Sequence, residues 1–563
     1  MEKQPSSWRG SNGGHEKRLP LRGGGRLETE ARAPHAHAAD QQEAGRGRHR
    51  RNCVRAALVL CLLTLPACVL VLGNLRAESS SEMLFDVDDV PKYDDDDQDI
   101  RDDMPDDLSP SAQIDYDRLL GGLLVEGFDE RSCRSRYQFA RYHRNAARVP
   151  SPYLIERLRR QEALQKKCGP GTKSYNNAAK QLMSTQSING TSDCNYLFLI
   201  IHAGMGNRML EITSAFLYAL LTGRVLLVDR SKQIASTFCE PFPGTSWLIP
   251  SDFPLSYNEF TERSPESYGN MLRANVIRGN TYRSLTSARP PYVFLYLDGD
   301  CAPNDTHFYC EDDQQFLQGV PWLIMRTDMY FVPSLFLIPS FQDELSKLFP
   351  EKDTIRVLET KGILQRNGQF PHVLEQVLSC AQGEKLLPEI GVTDEAATGN
   401  NRTIAVLVTS LSSWYSDQIR RRYSEHRTVD GTTVKVYQPS HEEYQRSKNK
   451  KHNMKALAEI YLLSMSDVLI TSGYSTFGYV AQGLAGLTPW IMYKPNDDLY
   501  RPKNHVVPKP PCGRAMSIEP CFHQAPYFDC KAKSFADLGK VVPYVRHCED
   551  VSWGLKIVNE TRL

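Results

Sequence analysis

The chain has 563 residues, a formal net charge of zero, 41% hydrophobic residues and 24% charged residues. That length exceeds the ~250–300 residues that one core usually supports, and the composition excludes collagen, a wholly disordered chain and a multi-pass membrane protein. A zero sum argues against a nucleic-acid binder, but it conceals opposed charge blocks along the chain.

Residues 1–55 carry 12 Lys/Arg against 6 Asp/Glu, with a Gly23-Gly24-Gly25 run and no apolar periodicity. A disordered cytosolic tail is expected there. Residues 56–73 (AALVLCLLTLPACVLVLG) contain no charge. They approach the length that crosses a ~30 Å hydrocarbon core as one helix, and Pro66 is tolerated in such a helix. Arg46, Arg48, Arg50, Arg51 and Arg55 precede the segment. By the positive-inside rule they keep the N-terminus cytosolic and send the rest into a lumen. A cleaved signal peptide would have a shorter apolar region starting nearer Met1, so an uncleaved signal anchor is expected. Residues 74–113 read as an acidic lumenal stem, with 13 acidic against two basic residues over 82–107. Like charges keep such a stretch extended.

Of 14 cysteines, eleven follow the anchor: Cys133, Cys168, Cys194, Cys239, Cys301, Cys310, Cys380, Cys512, Cys521, Cys530 and Cys548. No paired CxxC points to zinc. The cluster Cys512, Cys521, Cys530 and Cys548 suggests a C-terminal segment pinned by disulfides in an oxidising compartment, and an odd total leaves one thiol over. Sequons at Asn189, Asn304, Asn401 and Asn559 are expected glycosylation sites. Anchor, stem, cysteines and sequons together have the layout of a Golgi or endoplasmic-reticulum enzyme.

The folded part is expected from 114 onward, helical over 151–183. Tyr196–Ile201 is then a short, fully apolar run suited to a buried parallel strand. His202-Ala203-Gly204-Met205-Gly206-Asn207-Arg208 follows, then a helix over Met209–Thr222 and a strand ending at Asp229. This is one βαβ unit. Gly204 and Gly206 allow close backbone approach to a ligand, the helix start offers free N–H groups, and Arg208 adds a cation for phosphate. An ordinary tight turn would look the same, so the motif is weak by itself.

A second α/β unit is read near the C-terminus. Its strands are Thr403–Thr409 and Asp467–Thr471, with helices at Tyr415–Tyr423, Asn453–Met465 and Tyr479–Leu484. Ser475 and Thr476 fall where a strand end meets a helix start, either as a diphosphate site or as a plain N-cap. Two such units predict an α/β chain with a ligand cleft between two Rossmann-like halves, 114–345 and 346–563.

Longer runs carry a resemblance. LLGGLLVEGFDERSCRSRYQ (119–138), CGPGTKSYN (168–176), GMGNRML (204–210), FCEPFPGTSWLIP (238–250), NMKALAEIYLLSMSDVLITSGYSTFGYVAQGLAGLTPW (453–490) and VRHCEDVSWGL (545–555) resemble the plant cell-wall xyloglucan fucosyltransferases. The resemblance implies a type II Golgi enzyme with a GT-B-like fold. It implies inverting, metal-independent transfer of L-fucose from GDP-fucose to a galactose 2-hydroxyl of xyloglucan, with no cofactor. The 346–563 half would hold the donor and the 114–345 half the acceptor. Gly204, Gly206, Asn207, Arg208, Ser475, Thr476, Phe477 and Gly478 become donor-binding candidates. Partners implied are the galactosylated polysaccharide, the Golgi membrane, and a second copy or other glycosyltransferases.

A family arginine ending a strand that reads I-Q-x-R-V grips the GDP diphosphate. The matching stretch here is Ile355-Arg356-Val357, which makes Arg356 its counterpart. One departure stands out: relatives have about forty residues between LFPEK and that arginine, whereas here Lys352 runs into Asp353-Thr354-Ile355-Arg356, so most of a central strand is missing and its neighbours lose a partner. Fucosylation of arabinogalactan proteins, or an inactive glycan-binding form caused by the missing segment, are the alternatives.

Asp298-Gly299-Asp300 by itself suggests a metal-dependent transferase, although Arg208, Arg356 and the helix starts already offer partners for phosphate. The family aspartate aligns best with Asp300, making it the candidate general base or acceptor-positioning carboxylate, with Asp298 as the spare. Trp247, Trp322 and Tyr330 are candidates for stacking on acceptor sugars, with Phe331 and Trp414 behind them. His441 and Glu442 are candidates for reaching the guanine or ribose, although a surface loop is the favoured reading. His523 reads as structural.

Overall fold

The computed structural model describes residues 118–558 apart from 130–132, 134–135, 138–149, 184–193, 278–289, 299–304, 351–368, 392–401, 494–506, 527, 531–533 and 541–543. The expected tail, anchor and stem lie outside the described residues, as do Asp300, Arg356, Cys301 and the four sequon asparagines. No described helix is long and apolar enough to cross a membrane.

The first half is built on four parallel strands: β1 (Tyr196–Ile200), β2 (Val225–Val228), β3 (Tyr292–Tyr296) and β4 (Trp322–Arg326). Their order is β2-β1-β4-β3. β1 is buried throughout, as its unbroken apolar run predicts. The two-residue alternation divides the sheet between two cores. Leu197, Leu199, Leu226, Val228, Val293, Leu295, Leu323 and Met325 face one layer. Tyr196, Phe198, Val225, Leu227, Phe294, Trp322 and Ile324 face the other. Helix α1 (Pro152–Cys168) starts at Ser151, whose side chain accepts from the Leu154 N–H. Its Leu154 and Leu158 join the first layer. Helix α2 (Lys173–Leu182) lays Tyr175 and Ala178 on the second. Helix α3 (Met205–Thr222) crosses from β1 to β2 and ends at Gly223, whose φ of +62° is the left-handed conformation that glycine accepts without strain.

Arg224, just after that cap, is fully buried and donates to the carbonyls of Tyr196, Leu317, Gln318 and Pro321. Burial pushes its guanidinium down to about 10. It ties helix α4 (Glu311–Gln318) to the sheet. Helix α5 (Pro339–Leu348) closes this half.

The second half contains α6 (Pro371–Gly383), β5 (Thr403–Leu407), α7 (Trp414–Glu425), β6 (Thr433–Tyr437), α8 (Lys450–Ser464), β7 (Ile470–Ser472), α9 (Thr476–Ala485), β8 (Trp490–Met492) and β9 (Cys512–Arg514). The expected helices are present, and the expected strand at 467–471 is shorter and begins at Ile470. β5 pairs with β6 in parallel, and β7 with β8 in parallel, with β9 antiparallel on β8. Among the described residues these remain two separate sheets. β5 leaves Thr403 and Ala405 exposed, unlike the buried β1. Among the described residues β5 and β7 are each paired on one side only.

The final residues return to the first half. Phe522, Ala525, Val545, Leu555 and Ile557 belong to its core, with β10 (Val545–His547) antiparallel to β11 (Leu555–Ile557). Among the described residues five disulfides are present: Cys133–Cys239, Cys168–Cys194, Cys310–Cys530, Cys380–Cys512 and Cys521–Cys548. The C-terminal segment is pinned by disulfides as expected, with all four of its clustered cysteines paired. Only Cys521 and Cys548 pair within it, because Cys512 lies beside α6 and Cys530 beside α4.

Candidate donor-binding site

The two turns singled out in the sequence meet in space. The first follows β1 and forms the start of α3, with Gly204 as its N-cap. A Cβ at Gly204 would sit 2.7 Å from Gln445 Nε2, so the loop at 445–447 lies directly over this turn. Arg208 is only 7% exposed and donates from Nη2 to Ser447 O at 3.0 Å. Its Nε and Nη1 are buried without a hydrogen bond. Burial lowers the guanidinium, while Glu211 and Asp229 raise it.

The second turn follows β7. Ser475 caps α9 by accepting the Gly478 N–H at 2.9 Å, which is the plain capping role. Thr476 donates from Oγ1 to Asn207 Oδ1 at 3.0 Å, and Asn207 Nδ2 donates to Asp328 O at 3.3 Å. One asparagine thus joins the starts of α3 and α9. Phe477 packs between Met205 and Met209 of α3 and Ile460 and Leu463 of α8. Two helix N-termini therefore converge, each with N–H groups and a positive dipole end.

Sequence reasoning missed what holds the second turn. Tyr474 has a φ of +61° and donates its N–H to Asp550 Oδ2 at 2.8 Å. Tyr479 donates to the same oxygen at 2.7 Å, and its hydroxyl lies 2.7 Å from His523 Nε2. Burial, then Asp550, pushes the Tyr479 phenol well up. His523 thus belongs to the network that holds this turn. The positive-φ tyrosine and the distant aspartate left no periodic signal in the sequence.

A small cleft of about 40 Å³ adjoins α9, lined by Ser410, Ser440, Glu442, His452, Lys455, Glu459 and others. Ser440 donates both its N–H and its hydroxyl to Glu459 Oε1. Burial pushes the Glu459 carboxyl up and the His452 imidazole down. Glu442, paired with Lys455, lines this cleft. His441 is exposed and is not among its lining residues.

At the carboxyl ends of the first sheet, Asp298 lies between Arg326 and His202. Arg326 Nε donates to Asp298 Oδ2 at 2.9 Å, and His202 Nε2 lies 3.2 Å from Oδ1.

The aromatic expectation is corrected. Trp322 is 1% exposed and stacks on Tyr196 inside the sheet layer, with ring centroids 4.0 Å apart. Trp247 and Tyr330 are core residues, and Tyr330 donates to Glu519 Oε2 at 3.1 Å. Phe331 is equally buried. Their apolar faces are used within the protein, so they cannot stack on a sugar. Trp414 packs on Tyr415 and remains half-buried.

Residues 97–366 and 363–531 match the family model described as xyloglucan fucosyltransferase. The chain belongs to that family. Galactoside 2-alpha-L-fucosyltransferase of Pisum sativum is 47% identical over 486 residues, covering 80% of this chain and 83% of its own. The Arabidopsis thaliana protein of the same name is 48% identical over 484 residues, covering 79% and 84%. A solved structure of an arginine-to-lysine mutant of Arabidopsis thaliana FUT1 in complex with GDP matches with a TM-score of 0.70 and 47% identity, covering 78% of this chain and all of that one. This fucosyltransferase is therefore a glycosyltransferase with an α/β, parallel-sheet fold of the GT-B kind. The two matched stretches meet at 363–366.

Proposed function

We propose that this fucosyltransferase moves L-fucose from GDP-fucose to a galactose 2-hydroxyl of cell-wall xyloglucan, with inversion. The acceptor oxygen attacks the anomeric carbon on the face opposite GDP. The bond to the phosphate oxygen breaks and its electron pair leaves with GDP, while the acceptor proton passes to a carboxylate or water. The protein's main task is then to stabilise charge on the leaving diphosphate.

The observation that carries this reading is the convergence of the α3 and α9 starts at Asn207 and Thr476, beside two unpartnered donor atoms of Arg208. Arg356 is assigned as a second diphosphate ligand. The small cleft with Ser410, Ser440 and Glu442 is assigned to part of the ribose or base. These cations and helix starts meet the diphosphate charge without requiring a metal. At Asp298, Arg326 already occupies one carboxylate oxygen, which disfavours a metal-binding Asp-x-Asp. A type II orientation in the Golgi membrane follows from the anchor and its arginine flank, and five disulfides favour a lumenal site.

The test is GDP release by the full chain with GDP-fucose, comparing xyloglucan and arabinogalactan acceptors, with and without EDTA. Turnover on xyloglucan that persists in EDTA is expected. Turnover confined to arabinogalactan, or abolished by EDTA, contradicts the proposal. An Arg356→Ala variant with undiminished GDP binding would remove that residue from the donor site.

A further inference from the structure

We propose that Glu211 and His202 are positioning residues for transfer, together fixing the orientation of Asp298 at the carboxyl ends of the first sheet. The inference rests on the transferase reading above and adds a second layer to its acceptor side.

Glu211 projects from α3 into the protein and is 0% exposed. Neither of its carboxyl oxygens has a hydrogen-bond partner among the described residues. The groups acting on it are Asp328 after β4, Asp298 after β3, Arg208 from its own helix and the His202 main-chain N–H after β1. Two of the four are acidic, and Arg208 is shared with Asp229. An ionised carboxylate would be costly in this setting, so the group is held as a neutral acid carrying a proton. Desolvation first, then Asp328 and Asp298, push its carboxyl well above the ordinary range.

That proton needs an acceptor. His202 Nδ1 is also buried without a hydrogen bond, and it lies 3.9 Å from Glu211 Oε2. A displacement of about 1 Å brings the pair to hydrogen-bond distance, so each unsatisfied group is the other's natural partner. With Nδ1 accepting from Glu211, the imidazole hydrogen sits on Nε2, which is 3.2 Å from Asp298 Oδ1. Arg326 Nε holds the other oxygen at 2.9 Å. Asp298 is thereby oriented from both sides, by Arg326 on Oδ2 and by the His202 Nε2–H on Oδ1, an oxygen with no other hydrogen-bond partner among the described residues. It can then accept the hydrogen bond of the acceptor hydroxyl and align that oxygen for attack.

The arrangement has a pH signature. Ionisation of Glu211 removes the donor to Nδ1 and frees the tautomer, so kcat should fall on the alkaline side. Steady-state kinetics of the full chain across pH test this. Glu211→Leu is expected to lower kcat about tenfold or more with KM for GDP-fucose unchanged. Glu211→Gln, whose amide can donate to Nδ1 but does not titrate, is expected to recover part of that loss and to abolish the alkaline fall. The parent's alkaline limb persisting unchanged in Glu211→Gln would overturn the proposal. A second readout does not depend on turnover: ¹⁵N shifts of His202 should report the Nε2–H tautomer in the parent and its loss in Glu211→Leu. An Nδ1–H tautomer in the parent would also overturn it. If the parent turns over no GDP-fucose at all, the functional reading fails while the tautomer still decides this inference.

Discussion

Asn207 does more than its place in a short turn suggests. It accepts from Thr476 and donates to Asp328 O, so it sets the spacing between two helix starts. Asn207→Ala removes both bonds without adding bulk. Losing about 1–1.5 kcal/mol should weaken GDP binding about tenfold, as read by titration calorimetry. Unchanged affinity would show that the two helix starts do not act together on the donor. Glu211 also gives a stability prediction with a definite sign. Its folded-state carboxyl is raised above the ordinary 4.5, so the folded state keeps a proton that the unfolded chain releases. Its contribution is fully present below that ordinary value and is lost as pH rises through the raised one. Denaturant midpoints across this window should decline more in the parent than in Glu211→Gln. Parallel declines would mean that Glu211 is already ionised in the fold. Residues of this kind are hard to find by sequence: Glu211 sits among apolar helix positions, and only its burial distinguishes it.

Elements with a regular pattern were legible. The apolar run at 196–201, the helix over 453–465 and the β1-to-β2 unit follow from periodicity, and each is present within a few residues. The α9 start was legible through Ser475, whose capping bond forms as the motif suggests. Gly478 belongs to the same element, and a Cβ there would collide with Thr471 Oγ1 on β7. Gly478→Ala should therefore cost about 1–3 kcal/mol and displace the helix start, lowering the urea midpoint and GDP affinity together. A neutral effect on both would mean that α9 and β7 can separate freely. The segment before Arg356, where a central strand is expected to be missing, lies outside the described residues, among which β5–β6 and β7–β8–β9 are separate sheets. The aromatic candidates were misread because composition cannot distinguish a core tryptophan from one at a groove. Trp322 alternates with Leu323 along a doubly covered strand, so it is buried on either assignment of faces.

At the scale of the molecule, the C-terminal segment closes the first half rather than standing alone. Cys310–Cys530 links positions 220 residues apart and fastens that segment beside α4. Cys310→Ser should lower stability by about 4–5 kcal/mol through the unfolded chain's regained freedom, read as an earlier denaturation midpoint. An unchanged midpoint would mean that the Phe522, Val545 and Leu555 packing suffices by itself. Nearest-in-sequence reasoning could not supply these pairings, since four of the five disulfides join residues that only the fold brings together. The zero net charge is likewise a sum of parts: about +6 in the tail and −11 in the stem, leaving about +5 for the remainder, which suits an anionic nucleotide sugar. The central claim is the transfer itself, and linkage analysis of the product tests it most directly. After incubation of the full chain with GDP-fucose and fucose-free xyloglucan, the account predicts fucose joined in α-linkage to galactose O2. Xyloglucan recovered without fucose, or with fucose at another position, would contradict it.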